Sequence, residues 1–173
     1  MKIYITDLTY CPRRAFFSYF YKPKRCYSYS YENKMHKIIL SKLEQDGYNT
    51  EVPVSLRVGE FKLVGRVDAV AHDHIVEVKT VKEFDFKVKD YWLAQVNMYM
   101  HILNLSKAKL IIVERSTGNV FSTNINYNQK RALCLLDVAY QLVDAIKSKN
   151  FKNLPKQTEN CAYCSFNIIC NII

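Results

Sequence analysis

Three charged residues invite a chemical reading first. The stretch "GRVDAVAHDHIVEVKT" carries Asp68, Glu77 and Lys79. Two neighbouring carboxylates hold Mg²⁺ or Mn²⁺ through hard oxygen ligands. A lysine beside them orients or deprotonates a water, or stabilises charge developing on a phosphate. Glu77 and Lys79 are two apart in a β-branched run, so they share one strand face. Asp68 joins them only if the intervening hairpin has the right parity. A two-residue turn at Asp73-His74 sets Asp68 opposite Lys79, with all three side chains on one face and Val67, Ala69, Val76 and Val78 on the other. A three-residue turn sends the Asp68 carboxylate away, so the site requires an even-length loop or an equivalent bulge. By itself the pattern also fits an ordinary hairpin with one solvated charged face. Further on, "LAQVNMY" puts Gln95 and Tyr99 four apart on one helix face. There they can hold a lysine, a phosphate or a base, or simply join the core.

Cysteines raise a second question. "CAYCSFNIIC" places Cys161, Cys164 and Cys170 within ten residues. Three thiolates suit zinc or an iron–sulfur cluster, but such sites usually need four ligands. Cys134, in "ALCLLDVAY", reads as a buried small hydrophobe. Cys26, in "KRCYS", has no assigned role.

Composition bounds the partners. The chain has 173 residues, a net charge of +9 and a pI near 9.2, which favours a polyanion, nucleic acid before an anionic membrane. Arg13, Arg14, Lys22, Lys24 and Arg25 form a tyrosine-interleaved basic run suited to single-stranded DNA. No apolar run reaches the roughly 18 residues of a membrane span, and the start lacks a signal-peptide pattern, so the expected location is cytoplasmic. Six cysteines in a reducing compartment point to metal or reactive thiols rather than disulfides.

The elements that must position these residues are legible as patterns. A helix is expected from Thr6 or Asp7 through "LTYCPRRAFFSYFY", with Pro12 in its first turn. "YENKMHKIILSKLEQDG" reads as an amphipathic helix with Met35, Ile38, Ile39 and Leu43 as its stripe and Gly47 as its stop. "EVPVSLRV", "FKLVGRVDAVA", "IVEVKTV" and "AKLIIVE" read as strands. A helix, "DYWLAQVNMYMHILNL", lies between the last two. "STGNVFSTNIN" looks like a hairpin return, and "NQKRALCLLDVAYQLVDAIKSKN" a long helix. From Phe151 the chain turns irregular. His72, His74 and His101 read as loop or surface residues. Helices, a mainly antiparallel sheet and a strand–helix–strand unit imply an α/β or α+β domain.

The motifs are more specific in combination. "CPRRAFF", "MH", "GRVDAV", "VEVKT", "LAQVNMY" and a final C-x2-C-x5-C occur in this order. From Thr9 to Cys170 the chain resembles the iron–sulfur exonucleases of CRISPR adaptation, the fourth numbered Cas family. These belong to the RecB-like branch of the PD-(D/E)xK nucleases, and relatives occur in archaeal viruses. The resemblance implies one RecB-like nuclease domain over 1–173, with a mixed sheet flanked by helices. It implies that 1–30 and 151–173 together hold a structural 4Fe–4S cluster, with Cys11 as the fourth ligand to Cys161, Cys164 and Cys170. Zinc remains the alternative on spacing. It further implies that His36, Asp68, Glu77 and the backbone carbonyl of Val78 bind Mn²⁺ or Mg²⁺, that Lys79 is the catalytic lysine, and that Gln95 and Tyr99 support it. The implied activity is exonucleolytic on single-stranded DNA, often from a 5′ end, in spacer acquisition beside CRISPR integrase proteins. Two competing readings are a non-catalytic DNA-binding or assembly subunit and a zinc-stapled nucleic-acid adaptor.

Overall fold

In the computed structural model the described residues are 1–21, 30–157 and 161–172. Strand β3 (Phe61–Val70) organises the sheet. Strand β2 (Asn49–Val58) runs antiparallel along one of its edges, from Asn49 opposite Val70 to Val58 opposite Phe61. Two strands share the other edge. Strand β1 (Lys2–Tyr4) pairs in parallel with Lys62–Val64, and β4 (His74–Val81) pairs antiparallel at Ala69 and Val70 alone. Between Val64 and Ala69, no described strand covers that edge. Strand β4 then runs parallel to β5 (Lys107–Glu114) along its whole length, and β6 (Val120–Asn126) returns antiparallel to β5.

Helices cover both faces, as a strand as apolar as β4 requires. Helix α3 (Ser30–Gln45) lays Leu40 and Leu43 on Ala69, Val76, Val78 and Val113. The opposite face carries the larger core. There α1 (Ile5–Tyr10), α2 (Pro12–Phe20), α4 (Asp90–Leu103) and α5 (Gln129–Ser148) pack on Leu63, Val67, Ile75, Leu110 and Ile112. Helix α4 is the crossover between the parallel strands β4 and β5. A last short helix, α6 (Asn167–Ile172), follows a single helical turn at Cys161–Tyr163. No described helix is long and apolar enough to cross a membrane.

Several sequence expectations change in detail. The hairpin turn is two residues long, as required, but sits at His72-Asp73, since Ala69 pairs with Val76 and Ala71 N–H donates to the His74 carbonyl. Continuing that register sets Asp68 opposite Glu77 rather than Lys79. Parity is unchanged, because the register slides by an even number. Val67 packs in the larger core while Ala69, Val76 and Val78 pack under α3, so these four do not share a face. The distortion lies at Asp68, whose neighbour on β2, Glu51, takes a left-handed φ of 52° and leaves the ladder.

The expected first helix is two helices. Cys11 stands between them in an extended conformation, φ −169°, and Pro12 opens α2. Proline disfavours the helical conformation in the residue before it and supplies no N–H, so the break falls at Cys11. On α3 the stripe runs through Leu40 rather than Ile38, which is 69% exposed. Cys134 is exposed on α5 instead of buried. His74 opens β4 and lies 3.2 Å from the Tyr48 hydroxyl, while His101, inside α4, lies 2.8 Å from the Tyr127 hydroxyl.

Beyond α5 the chain is held by aromatic packing. Phe151 and Phe166 sit against Phe17, with ring centroids 4.8 and 5.6 Å away. Arg13 donates from Nε to the Leu154 carbonyl and from Nη2 to the Lys152 carbonyl, both at 2.9 Å, with its guanidinium over the Phe151 ring.

Candidate active site

The uncovered edge of β3 opens a recess of about 1,000 Å³. Every residue expected at the chemical centre lines it: His36, Asp68, Glu77, Val78, Lys79, Gln95 and Tyr99. Asp68 projects where the ladder between β3 and β4 stops. Its Oδ2 accepts the Val78 N–H at 2.7 Å, so a side chain completes what a strand leaves undone. His36 reaches the same oxygen from α3, with Nε2 at 3.2 Å. That hydrogen bond holds the imidazole above its ordinary pKa, against a smaller opposing effect of burial.

Glu77 is the least accessible charge here, 2% exposed. Its Oε1 accepts Lys79 Nζ and Gln95 Nε2, both at 2.8 Å. Lys79 also donates to Gln95 Oε1 at 2.8 Å, which closes a three-membered ring of hydrogen bonds. Gln95 Nε2 reaches the Tyr99 hydroxyl at 3.1 Å. Burial pushes the Glu77 carboxyl up to about 7, with the Lys79 ammonium acting against it. Burial beside Glu77 also drives the Tyr99 phenol upward, so Tyr99 serves as a neutral hydrogen-bonding group.

One atom is left over. Glu77 Oε2 is buried and has no hydrogen-bond partner among the described residues. An unpartnered buried carboxylate oxygen is costly by itself, and a cation offsets that cost directly. The donors lining the same recess include carboxylate, backbone carbonyl and imidazole, hard enough for Mg²⁺ or Mn²⁺. These residues fit a divalent ion, although no three His, Cys, Asp or Glu side chains among the described residues converge tightly enough to enclose one.

Gly65 was not anticipated as part of this site. A Cβ there would lie 2.6 Å from Tyr99 Cε1 and 3.2 Å from Ile5 Cδ1. Tyr99 is fully buried, and its hydroxyl is tied to Gln95. Gly65→Ala therefore displaces Tyr99 and, through Gln95, the Lys79–Glu77 pair. We expect a melting temperature lower by roughly 3–10 °C, measured by thermal denaturation. The sequence signal was a glycine inside a strand, in a chain with only four glycines. Tyr4 and Thr6 also line the recess, brought there by the pairing of β1 with β3, which has no local signature.

The thiols lie elsewhere, and no three of those among the described residues converge tightly enough to enclose an ion. Cys11, Cys161, Cys164 and Cys170 line one recess of about 350 Å³, and all four are free cysteines. The break before Pro12 turns Cys11 toward the tail. Of the basic residues, Arg13 clasps that tail, and Arg14 pairs with Asp7 at 3.2 Å while lying over the Tyr10 ring. Lys22, Lys24, Arg25 and Cys26 fall outside the described residues.

Comparison with known proteins places this geometry. A profile of the PD-(D/E)XK nuclease superfamily matches residues 29–171. The chain belongs to the PD-(D/E)XK nuclease superfamily. Glu77-Val78-Lys79 matches the (D/E)XK spelling of that name, and Asp68 follows Val67 where the name has a proline. It is 24% identical to the CRISPR-associated exonuclease Cas4 of Saccharolobus solfataricus, over 97% of this chain and 86% of that protein. Its fold resembles the crystal structure of SSO0001, with a TM-score of 0.72 and 23% identity, over 98% of this chain and 85% of that one. It also resembles the alkaline exonuclease LHK-Exo from Laribacter hongkongensis, with a TM-score of 0.62 and 11% identity, over 86% and 89% of the two chains. The mixed sheet flanked by helices is thus the expected nuclease core.

Proposed function

We propose that the chain is a metal-dependent deoxyribonuclease that degrades single-stranded DNA from an end, with 5′-to-3′ polarity. One observation carries this reading: the buried Glu77, with one oxygen tied to Lys79 and Gln95 and the other spare, facing Asp68 in an open recess. The name of the 24%-identical relative, a CRISPR-associated exonuclease, supports exonucleolytic action. The resemblance of the motifs in sequence extends the proposal to CRISPR spacer acquisition or DNA-end processing. CRISPR integrase proteins are the corresponding partners, and the cytoplasm the setting.

Asp68, Glu77, His36 and the Val78 carbonyl would hold the divalent ion. When bound, it supplies Lewis-acid stabilisation of the phosphate and an acidified water. Lys79, anchored by Glu77 and Gln95, would orient an attacking water and meet the charge developing on the phosphate. Tyr99 steadies Gln95, and His36 steadies Asp68. Chain residues 1–173 act as one domain.

The four thiols are assigned to a structural 4Fe–4S cluster held by the 1–30 and 151–173 segments. Support comes from their common recess and from the thiolate chemistry such clusters use.

The test uses anaerobically purified protein and end-labelled single-stranded DNA, with Mn²⁺ or EDTA, wild type beside Asp68→Ala. Cleavage should require both the metal and Asp68, and the labelled products give the polarity. If wild-type protein that retains its iron and binds DNA releases no product, the molecule is an assembly subunit instead.

A further inference from the structure

The catalytic recess does not end at Lys79. Thr6, Lys79 and Gln95 also wall a second open groove of about 1,060 Å³, which leads away from the carboxylates to Cys164 and Ser165 in the tail. Its other lining comes from three helices. Tyr10 of α1 and Tyr91 of α4 meet edge to face with ring centroids 5.5 Å apart. Arg14 of α2 lies 4.8 Å over the Tyr10 ring and pairs with Asp7 at 3.2 Å. Asp7 is the one acidic group in the groove, and burial holds its carboxyl toward the neutral form while Arg14 faces it. The groove therefore presents no uncompensated negative charge to a phosphate.

Tyr10, Tyr91, Arg14 and Ser165 have no part in the hydrogen-bond ring around Glu77. Aromatic rings and a guanidinium beside a phosphate-cleaving centre serve single-stranded nucleic acid well. Stacking accepts any base, and the cation pairs with the backbone. We infer that this groove is a strand subsite, which seats the nucleotides adjoining the scissile phosphate, with a base against Tyr91 and a phosphate against Arg14. The inference rests on the nuclease reading above and extends it. Because Ser165 belongs to the tail that carries three of the thiols, the groove is complete only while the tail is docked.

The test uses the intact, cluster-loaded protein with Tyr91→Ala and, at the exposed Ser165, Ser165→Glu. Affinity for a labelled oligothymidylate is read by fluorescence anisotropy, with Ca²⁺ replacing Mn²⁺ to prevent turnover. Cleavage of the p-nitrophenyl ester of thymidine 5′-monophosphate, which has no further nucleotide, is read in parallel. Both variants should bind the oligonucleotide about tenfold more weakly. Ester hydrolysis and iron content should stay at wild-type values. Unchanged oligonucleotide affinity in both variants overturns the subsite, as does an equal loss on both substrates. A wild type that hydrolyses neither substrate refutes the nuclease reading, and the anisotropy still decides the groove.

Discussion

Glu77→Gln loses cleavage by about a thousandfold or more and, with metal removed, melts higher than the wild type at pH 8. The first effect follows from the spare oxygen. An amide keeps one acceptor for Lys79 and Gln95 but presents no anionic oxygen to the divalent ion. The second follows from burial. In the folded chain the Glu77 carboxyl rises from 4.5 to about 7, so between those values the native state holds a proton that the unfolded state has released. Stability then falls as pH rises through that interval, and the full penalty is present above it. Its size is of order 1–3 kcal/mol, roughly 2–10 °C for a domain of this length. His36 acts in the same sense, since the support its charge draws from Asp68 is present at low pH and lost as pH rises through its raised value.

The metal-free wild type should therefore lose stability from about pH 5 to pH 8. Removing Glu77's charge removes most of that slope. Mn²⁺ reverses it by displacing protons from the same groups, so its stabilising effect should be larger at pH 8 than at pH 6. Thermal melts in EDTA and in Mn²⁺ across this range check all three statements. A gap between wild type and Glu77→Gln that does not change with pH would show that the buried carboxylate carries no such penalty. Active-site groups commonly trade stability for function in this way.

Cys11→Ser should release the iron and lower the melting temperature by roughly 10–20 °C. A cluster bonded to Cys11 and Cys161 closes a loop of about 150 residues. Loop-closure entropy gives such a link about 4–5 kcal/mol. Each kcal/mol is worth roughly 2–4 °C in a domain of this size. The clasp from Arg13 and the packing of Phe151 and Phe166 on Phe17 remain in the variant, so the loss is concentrated at the tail. Iron content, the cluster's visible absorption and limited proteolysis of the tail follow the change. Zinc in place of iron in the wild type would change the cofactor but preserve the staple. A variant with full iron content would remove Cys11 from the ligand set.

The grouping of these side chains was legible because it depends on short-range arithmetic. Two-residue periodicity ties Glu77 to Lys79, and any even hairpin brings Asp68 to them. The turn itself was less legible, since "AHDH" offers two adjacent positions for a two-residue loop, and nothing local distinguishes the pairing of Ala69 with Val76 from that of Ala69 with Val78. The helix break was written in Pro12 but read one step too permissively. Ile38 and Leu40 are both plausible core residues on a helix, and the sheet beneath α3 favours Leu40. Cys134 has apolar neighbours in sequence and yet faces outward, which α5 alone does not reveal. Tyr4, Thr6 and Gly65 reach the site through the long-range pairing of β1 with β3, which leaves no mark on local sequence.

The split edge of β3 has a mechanical consequence. The sheet is two plates, β1–β2–β3 and β4–β5–β6, joined by two residue pairs near the hairpin and by one bond from a carboxylate to an amide. Helix α3 lies across the joint like a strap, touching Ala69 on one plate and Val76, Val78 and Val113 on the other. Asp68 belongs to the first plate and Glu77 to the second. An ion held by both would act as a rivet between the plates, so loading the site and stiffening the sheet become a single event.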